Sequence, residues 1–310
     1  MTPKLKKILL IASPIAVVLI AAVIITIILL GGSDDAYRTV KIYQLEGEAE
    51  ITRASSEKIS AYESMLLLAD DTVKTLKDSR IYLKLDEDKY LMAGPEASFK
   101  LSATGSAENS KTKIDLEYGE IVIHVIEPLS ADSSFEIGTG SSTMAVRGTS
   151  FRIYTAPDDQ GVPQTMLQVF EGCVNAKLIN SDGSVSEEQS FEAGKAVVIA
   201  SNESETYFDQ SYDGINYFEM DVATLEFLKI GFEEGKDLDI DRETLDEIIE
   251  NKDRVITVTF VWGDTVFATQ RVAYGSTAKS PALMPTPKGA WDFDFSTPIL
   301  EDTTISWKAE

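Results

Sequence analysis

The sequence predicts a mainly β protein: one N-terminal transmembrane helix, a large all-β domain of solenoid-like or sandwich type, a short helical connector and a small β module at the end. Three observations carry this. Ile8 to Leu30 is a run of 23 residues without a charge. From Val40 to Ala200, short apolar runs with period two alternate with glycine or acidic turns, the pattern of strands half buried on one face. Helical spacing is confined to two short stretches after Glu203. The implied division is a tail 1–7, a span 8–30, a linker 31–37, the β domain 38–201, an acidic connector 202–254 and the terminal module 255–310.

The span comes first because it sets the compartment. At 1.5 Å per residue it reaches roughly 35 Å, enough for a hydrocarbon core of about 30 Å. Lys4, Lys6 and Lys7 precede it, and Asp34 and Asp35 follow. Basic flanks stay cytoplasmic, so the expected topology is N-terminus inside, with 280 of the 310 residues outside the cell membrane. The apolar core is longer than that of a cleaved signal peptide and lacks a small-residue exit site.

Charge bounds the partners. Beyond the span there are 25 basic and 51 acidic residues, a net charge of −26. Such a surface repels nucleic acid and anionic headgroups, and first of all keeps the chain soluble. A single cysteine, Cys173, rules out an internal disulfide, and its apolar setting reads as a buried small hydrophobe. With one Cys and one His, most zinc sites are excluded. No metal, cofactor or catalytic residue is expected.

Along the β domain, Val40–Leu45 alternates until Gly47. Ile81–Leu85 and Tyr90–Met92 flank a turn at Asp86–Asp88. Ile114–Glu117 and Ile121–Ile126 read as two strands broken at Tyr118-Gly119. Ala61–Asp71 is open between a helical turn and a buried strand. His124 lies with Val122 and Ile126 on one strand face, opposite Ile123 and Val125. It has no G-x-S-x-G or reactive-cysteine context and reads as a structural or surface histidine. In the connector, Asp221–Phe232 and Asp241–Glu250 have helical spacing, and ten acids face four bases from Glu233 to Arg254. Asp237, Asp239 and Asp241 have calcium-loop spacing, but Arg242 and Ile248 stand where Gly and Glu are needed, so they read as a helix start. Asn202-Glu203-Ser204 forms a glycosylation sequon. Strands return at Val255–Trp262 and Thr303–Lys308, around a Pro-rich loop at Pro281–Pro287.

The most specific stretch is FEIGTGSSTMAVRGTSFRI, Phe135 to Ile153. Its core, TMAVRGTSF, resembles the signature of the FecR domain. The segments DDTVKT (Asp70–Thr75), SRIYLKLDEDKYLMAGPEASFKL (Ser79–Leu101), IDLEYGEIVIHV, VFEGCVNA and FEAGKAVVI resemble further landmarks of that family, in order, over about Val40 to Ser201. Gly138 stands where the family usually has Pro, and Glu87-Asp88 replaces a turn glycine. The candidate signature residues are Arg147, Gly148, Thr149 and Phe151. Gly148 suits a conformation or close contact that a Cβ forbids, and Thr149 and Ser150 suit local side-chain to backbone bonds. Val146 and Phe151 suit the core. Arg147 reads as a clamp between strands in preference to a partner-docking arginine. Residues 255–310 resemble the Listeria–Bacteroides surface repeat, a β-grasp module, through Thr257–Phe260, Gln270–Ser276, Phe295–Ile299 and Trp307.

The FecR resemblance implies an extracytoplasmic module. Its best-known members relay a surface signal to a cytoplasmic sigma factor through a cytoplasmic segment, wiring that seven residues before the span do not supply. The expected function is therefore a non-enzymatic scaffold at the bacterial cell envelope, binding a protein or cell-wall glycan. The alternative is a signalling co-regulator that acts through its membrane helix.

Overall fold

The computed structural model describes residues 38, 40–53, 57–106, 109–158, 161–201, 205–212, 214–286 and 288–309. The expected span Ile8–Leu30, most of its flanks and the sequon at Asn202 lie outside the described residues. Among the described residues no helix is long and apolar enough to cross a membrane.

Seventeen strands build the main body. They are β1 (Val40–Glu46), β2 (Ala49–Thr52), β3 (Lys58–Ser60), β4 (Leu66–Leu67), β5 (Asp71–Thr75), β6 (Arg80–Leu85), β7 (Lys89–Ala93), β8 (Ser98–Gly105) and β9 (Ser110–Val125), then β10 (Ser134–Gly138), β11 (Ser142–Val146), β12 (Ser150–Pro157), β13 (Pro163–Glu171), β14 (Cys173–Leu178), β15 (Gln189–Glu192), β16 (Lys195–Ser201) and β17 (Thr206–Asp209). Pairings resolve them into two sheets. One runs β3-β2-β5-β8-β9-β10-β11-β14-β15, and the other β4-β1-β6-β7-β9-β12-β13-β16-β17. Both contribute to one apolar core, with Ile51, Val73, Phe99 and Ile137 from the first and Leu83, Leu91, Phe151 and Leu167 from the second. The body is therefore a sandwich in which the chain winds from sheet to sheet, two strands at a time for most of its length.

Only β9 belongs to both sheets among the described residues. Ser110–Tyr118 pairs with β8, and Gly119–Val125 pairs with β7 or β12. The expected break at Tyr118-Gly119 is thus a change of sheet within one 16-residue strand. Gly119 has φ +93°, and a Cβ there would lie 2.4 Å from Ala97 Cα. The missing turn glycine at Glu87-Asp88 has a local explanation: Asp86 takes the positive φ of 58° instead, which Asp tolerates better than most residues. Ala61–Asp71 holds the two-residue strand β4, with Met65 and Leu67 buried and Leu66 and Leu68 exposed.

Two helices follow, α1 (Val222–Glu233) and α2 (Arg242–Asn251). Asp221 and Asp241 cap them by accepting from Thr224 N and Thr244 N at 2.7 and 2.8 Å. Capping is thus the role of Asp241 in the acidic cluster. The helices bury Leu225, Phe227, Leu228, Leu245 and Ile248 against Tyr82, Met92, Val122 and Phe170, which point outward from the second sheet.

The C-terminal strands are β18 (Val255–Trp262), β19 (Thr265–Ala273), β20 (Gly289–Trp291) and β21 (Thr303–Ala309). Their order is β19-β18-β21-β20, with β18 and β21 parallel and the other pairs antiparallel. Ile256, Val258, Phe260 and Ile305 join the same apolar cluster as the helices. Tyr274 Oη donates to Glu247 at 3.0 Å across this junction.

Candidate functional site

The signature stretch is β11, a turn at residues 147–149, and β12. Gly148 has φ +92°, and a Cβ would stand 3.0 Å from Pro128 Cα. The glycine reading therefore holds for both reasons given, conformation and contact. Phe151 and Val146 lie in the core between the sheets. Thr149 Oγ1 donates to Cys173 O at 3.0 Å, 24 residues away. Ser150 bonds the imidazole of His124 rather than backbone. The hydroxyls thus tie distant strands together, where local bonds were expected. Cys173 is half-buried, its Sγ 3.7 Å from Asn175 Oδ1, and so is not the fully buried hydrophobe that its apolar neighbours suggest.

Arg147 requires a correction. It is exposed and makes no hydrogen bond or ion pair among the described residues, so it clamps nothing. The clamp stands five positions on. Arg152 Nε and Nη2 donate to Glu120 Oε1 and Oε2 at 2.8 and 3.1 Å, and Nη1 donates to Gln168 Oε1 at 2.9 Å. Strands β9, β12 and β13 are joined by this one guanidinium. Thr224 Oγ1 of α1 adds a bond to Glu120 Oε1 at 2.9 Å, carrying the network into the helix. We expect Arg147→Ala to change unfolding free energy by less than about 0.5 kcal/mol, as for other surface positions. Urea unfolding followed by tryptophan fluorescence measures this, and a larger loss would restore a structural role.

Next to this network on the outward face of β9 is His124, fully buried. Its Nε2 lies 3.2 Å from Phe227 O and its Nδ1 2.8 Å from Ser150 Oγ. A carbonyl only accepts, so Nε2 carries the proton and Nδ1 accepts from Ser150. The Phe227 ring covers the imidazole at 5.1 Å between centroids, and Gly231 leaves room for it. Burial pushes the His124 pKa down to about 4, against a smaller upward pull from the Phe227 carbonyl. The sign follows: above pH 6.5 neither state takes up the proton, and between pH 6.5 and 4 only the unfolded chain does. Stability present at neutral pH is lost as pH falls through that window, by roughly 3 kcal/mol in all. Comparing urea unfolding of the wild type with His124→Asn from pH 7 to 4.5 tests this. The variant starts less stable but loses less on acidification, and parallel acid slopes would refute the assignment.

Ser150 and His124 have the separation of a nucleophile and its base, yet both are fully buried beneath α1, so the pair packs the helix on the sheet. The sequence reading missed Glu120, Arg152 and Thr224. Alternation could have placed Glu120, Val122 and His124 on one outward face, but nothing local shows that a helix 100 residues later covers it. Tyr90 Oη donates to Glu234 at 3.0 Å, and Lys236 pairs with Glu171 at 3.1 Å, pinning the far end of the helical layer. Among the described residues no group of three His, Cys, Asp or Glu side chains is placed to hold a metal ion.

A two-sheet β body with a helical layer on one face, organised around a Val-Arg-Gly-Thr turn, is the class this geometry defines. Residues 71–175, from β5 into β14, match the family model described as FecR protein. The match includes the signature turn and is narrower than the resemblance over 40–201. Two crystal structures of a candidate anti-sigma factor from Parabacteroides distasonis ATCC 8503 are similar to this chain. One is 12% identical, covering 46% of this chain and 60% of that one, with a TM-score of 0.36. The other is 10% identical, covering 77% and 99%, with a TM-score of 0.38. No curated protein matches the sequence.

Proposed function

We propose that this chain is a membrane-tethered signalling regulator whose FecR-type body receives an extracytoplasmic signal and passes it on through the helix at Ile8–Leu30. The observation that carries the reading is the FecR match over residues 71–175, since the best-known FecR-family proteins work in signal relay. It favours this reading over a scaffold that only binds envelope protein or glycan. The C-terminal sheet is the accessory surface module of the regulator; the parallel pair β18–β21 supports its resemblance to the β-grasp repeat. In this reading the body lies outside the cell membrane, and the span carries the signal to the partner that responds.

The test exchanges Ile8–Leu30 for an unrelated apolar helix of equal length in the native host. Deleting the chain is expected to alter transcription of a defined gene set, which the native chain restores and the exchanged chain does not. Full restoration by the exchanged chain, or no change on deletion, refutes the proposal. Co-sedimentation with purified cell wall then asks whether the chain is a scaffold instead.

A further inference from the structure

A cleft of about 540 Å³ opens between the β1–β6 side of the second sheet and the exposed flank of α1. Tyr43, Glu46 and Tyr82 form its sheet wall, and Val222, Glu226 and Ile230 its helix wall. Its volume falls in the range of ligand sites. Its apolar wall is open, with Val222 40% exposed at the start of α1.

Charge narrows the occupant. The lining cation Arg80 is committed to Asp221. Glu46 is held only by the neutral donors Tyr82 Oη and Gln44 Nε2, at 3.2 and 3.0 Å. Glu226 meets Lys229 at 3.3 Å, but Lys229 sits closer to Asp246, at 2.7 Å. The lining carboxylates Glu46 and Glu226 outnumber the lining cation Arg80, which is paired with Asp221, and Glu226 shares Lys229 with Asp246; the cleft is therefore net negative over an aromatic and aliphatic floor, in a chain whose formal net charge is −23. Anions are repelled and cations are drawn in.

We propose that this cleft binds a cationic amphipathic peptide. An apolar side chain of the peptide packs between Tyr43 and Ile230, and its Lys or Arg residues pair with Glu46 and Glu226. The inference concerns binding alone and stands apart from the signalling reading.

The experiment uses the 310-residue chain in phosphatidylcholine nanodiscs and a fluorescent amphipathic Leu/Lys peptide, read by anisotropy against empty discs. Glu46→Gln with Glu226→Gln is expected to weaken binding about tenfold, and Val222→Lys at least as much. Glu243→Gln with Glu250→Gln removes the same charge from α2 and is expected to change it less than about twofold. A Lys/Ser peptide of equal charge binds more weakly than the Leu/Lys peptide. Equal losses from the two double variants would mean that net charge alone attracts the peptide, and would overturn the site. Equal binding of the two peptides, or no binding of either, would overturn it as well.

Discussion

Gly119→Ala is expected to be strongly destabilising. At φ +93° any side chain is strained, by roughly 1–2 kcal/mol. The added Cβ would also meet Ala97 Cα at 2.4 Å and Ala97 Cβ at 2.6 Å. Ala97 closes the turn that leads into β8, and its backbone cannot rotate aside as a side-chain tip can, so overpacking adds about 1–3 kcal/mol. Against a typical total stability of about 5–15 kcal/mol, the combined loss of about 2–5 kcal/mol takes a large share of the margin. The consequence spreads because β9 carries both sheets: its first half pairs with β8 and β10, its second with β7 and β12. Gly183→Ala is the matched control, with φ +81° but nothing within 4 Å of the new Cβ. It should carry only the backbone strain, roughly 1–2 kcal/mol. Urea midpoints for the two variants measure the contact separately from the backbone strain, and equal midpoints would sink this account of the sheet crossing.

The second large effect is expected at Arg152. Arg152→Ala removes three hydrogen bonds and leaves Glu120, whose side chain is 14% exposed, with Thr224 as its remaining partner. Breaking a largely buried pair from one side costs about 3 kcal/mol, most of it the penalty on the carboxylate left behind. Arg152→Lys should recover only part of the loss, because an ammonium cannot grip both Glu120 oxygens and reach Gln168 as well. A double-mutant cycle with Glu120→Gln should show a coupling of about 1–3 kcal/mol. A coupling near zero would mean that strand packing, and not the guanidinium, joins these three strands. The pairing of Arg152→Ala with the near-neutral Arg147→Ala separates the two arginines of the signature by role.

These two arginines show where sequence reading stops. Both stand in the stretch Val146–Ile153, and the planar fork of either could clamp strands. Only Arg152 lies within β12, between the inward-facing Phe151 and Ile153, where Glu120 and Gln168 on the neighbouring strands meet it. Arg147 stands in the turn, past the last paired residue of β11. The sequence reading gave the clamp to Arg147 and assigned Arg152 no role. His124 carries the same lesson: alternation placed it on the face opposite Ile123, but burial on that face depends on Phe227, 103 residues along the chain.

What the amino-acid order determined alone was local. Period-two alternation placed β1, β6, β7 and both halves of β9, since inward and outward side chains must alternate on a pleated sheet. The two helices were legible from their spacing, and the acids ending at Asp241 from their place at a helix start; the structure shows Asp221 and Asp241 satisfying backbone donors three residues away. Gly148 was legible because only a residue without Cβ fits beside Pro128. What the tertiary structure alone decided was which outward faces are covered. It runs β9 through both sheets, closes α1 over His124 and Glu120, and draws the terminal sheet into the same apolar cluster as the helices. An outward strand face looks the same in sequence whether water or a helix lies against it. The difference is made by apolar area buried between segments far apart in the chain, and no local pattern records that.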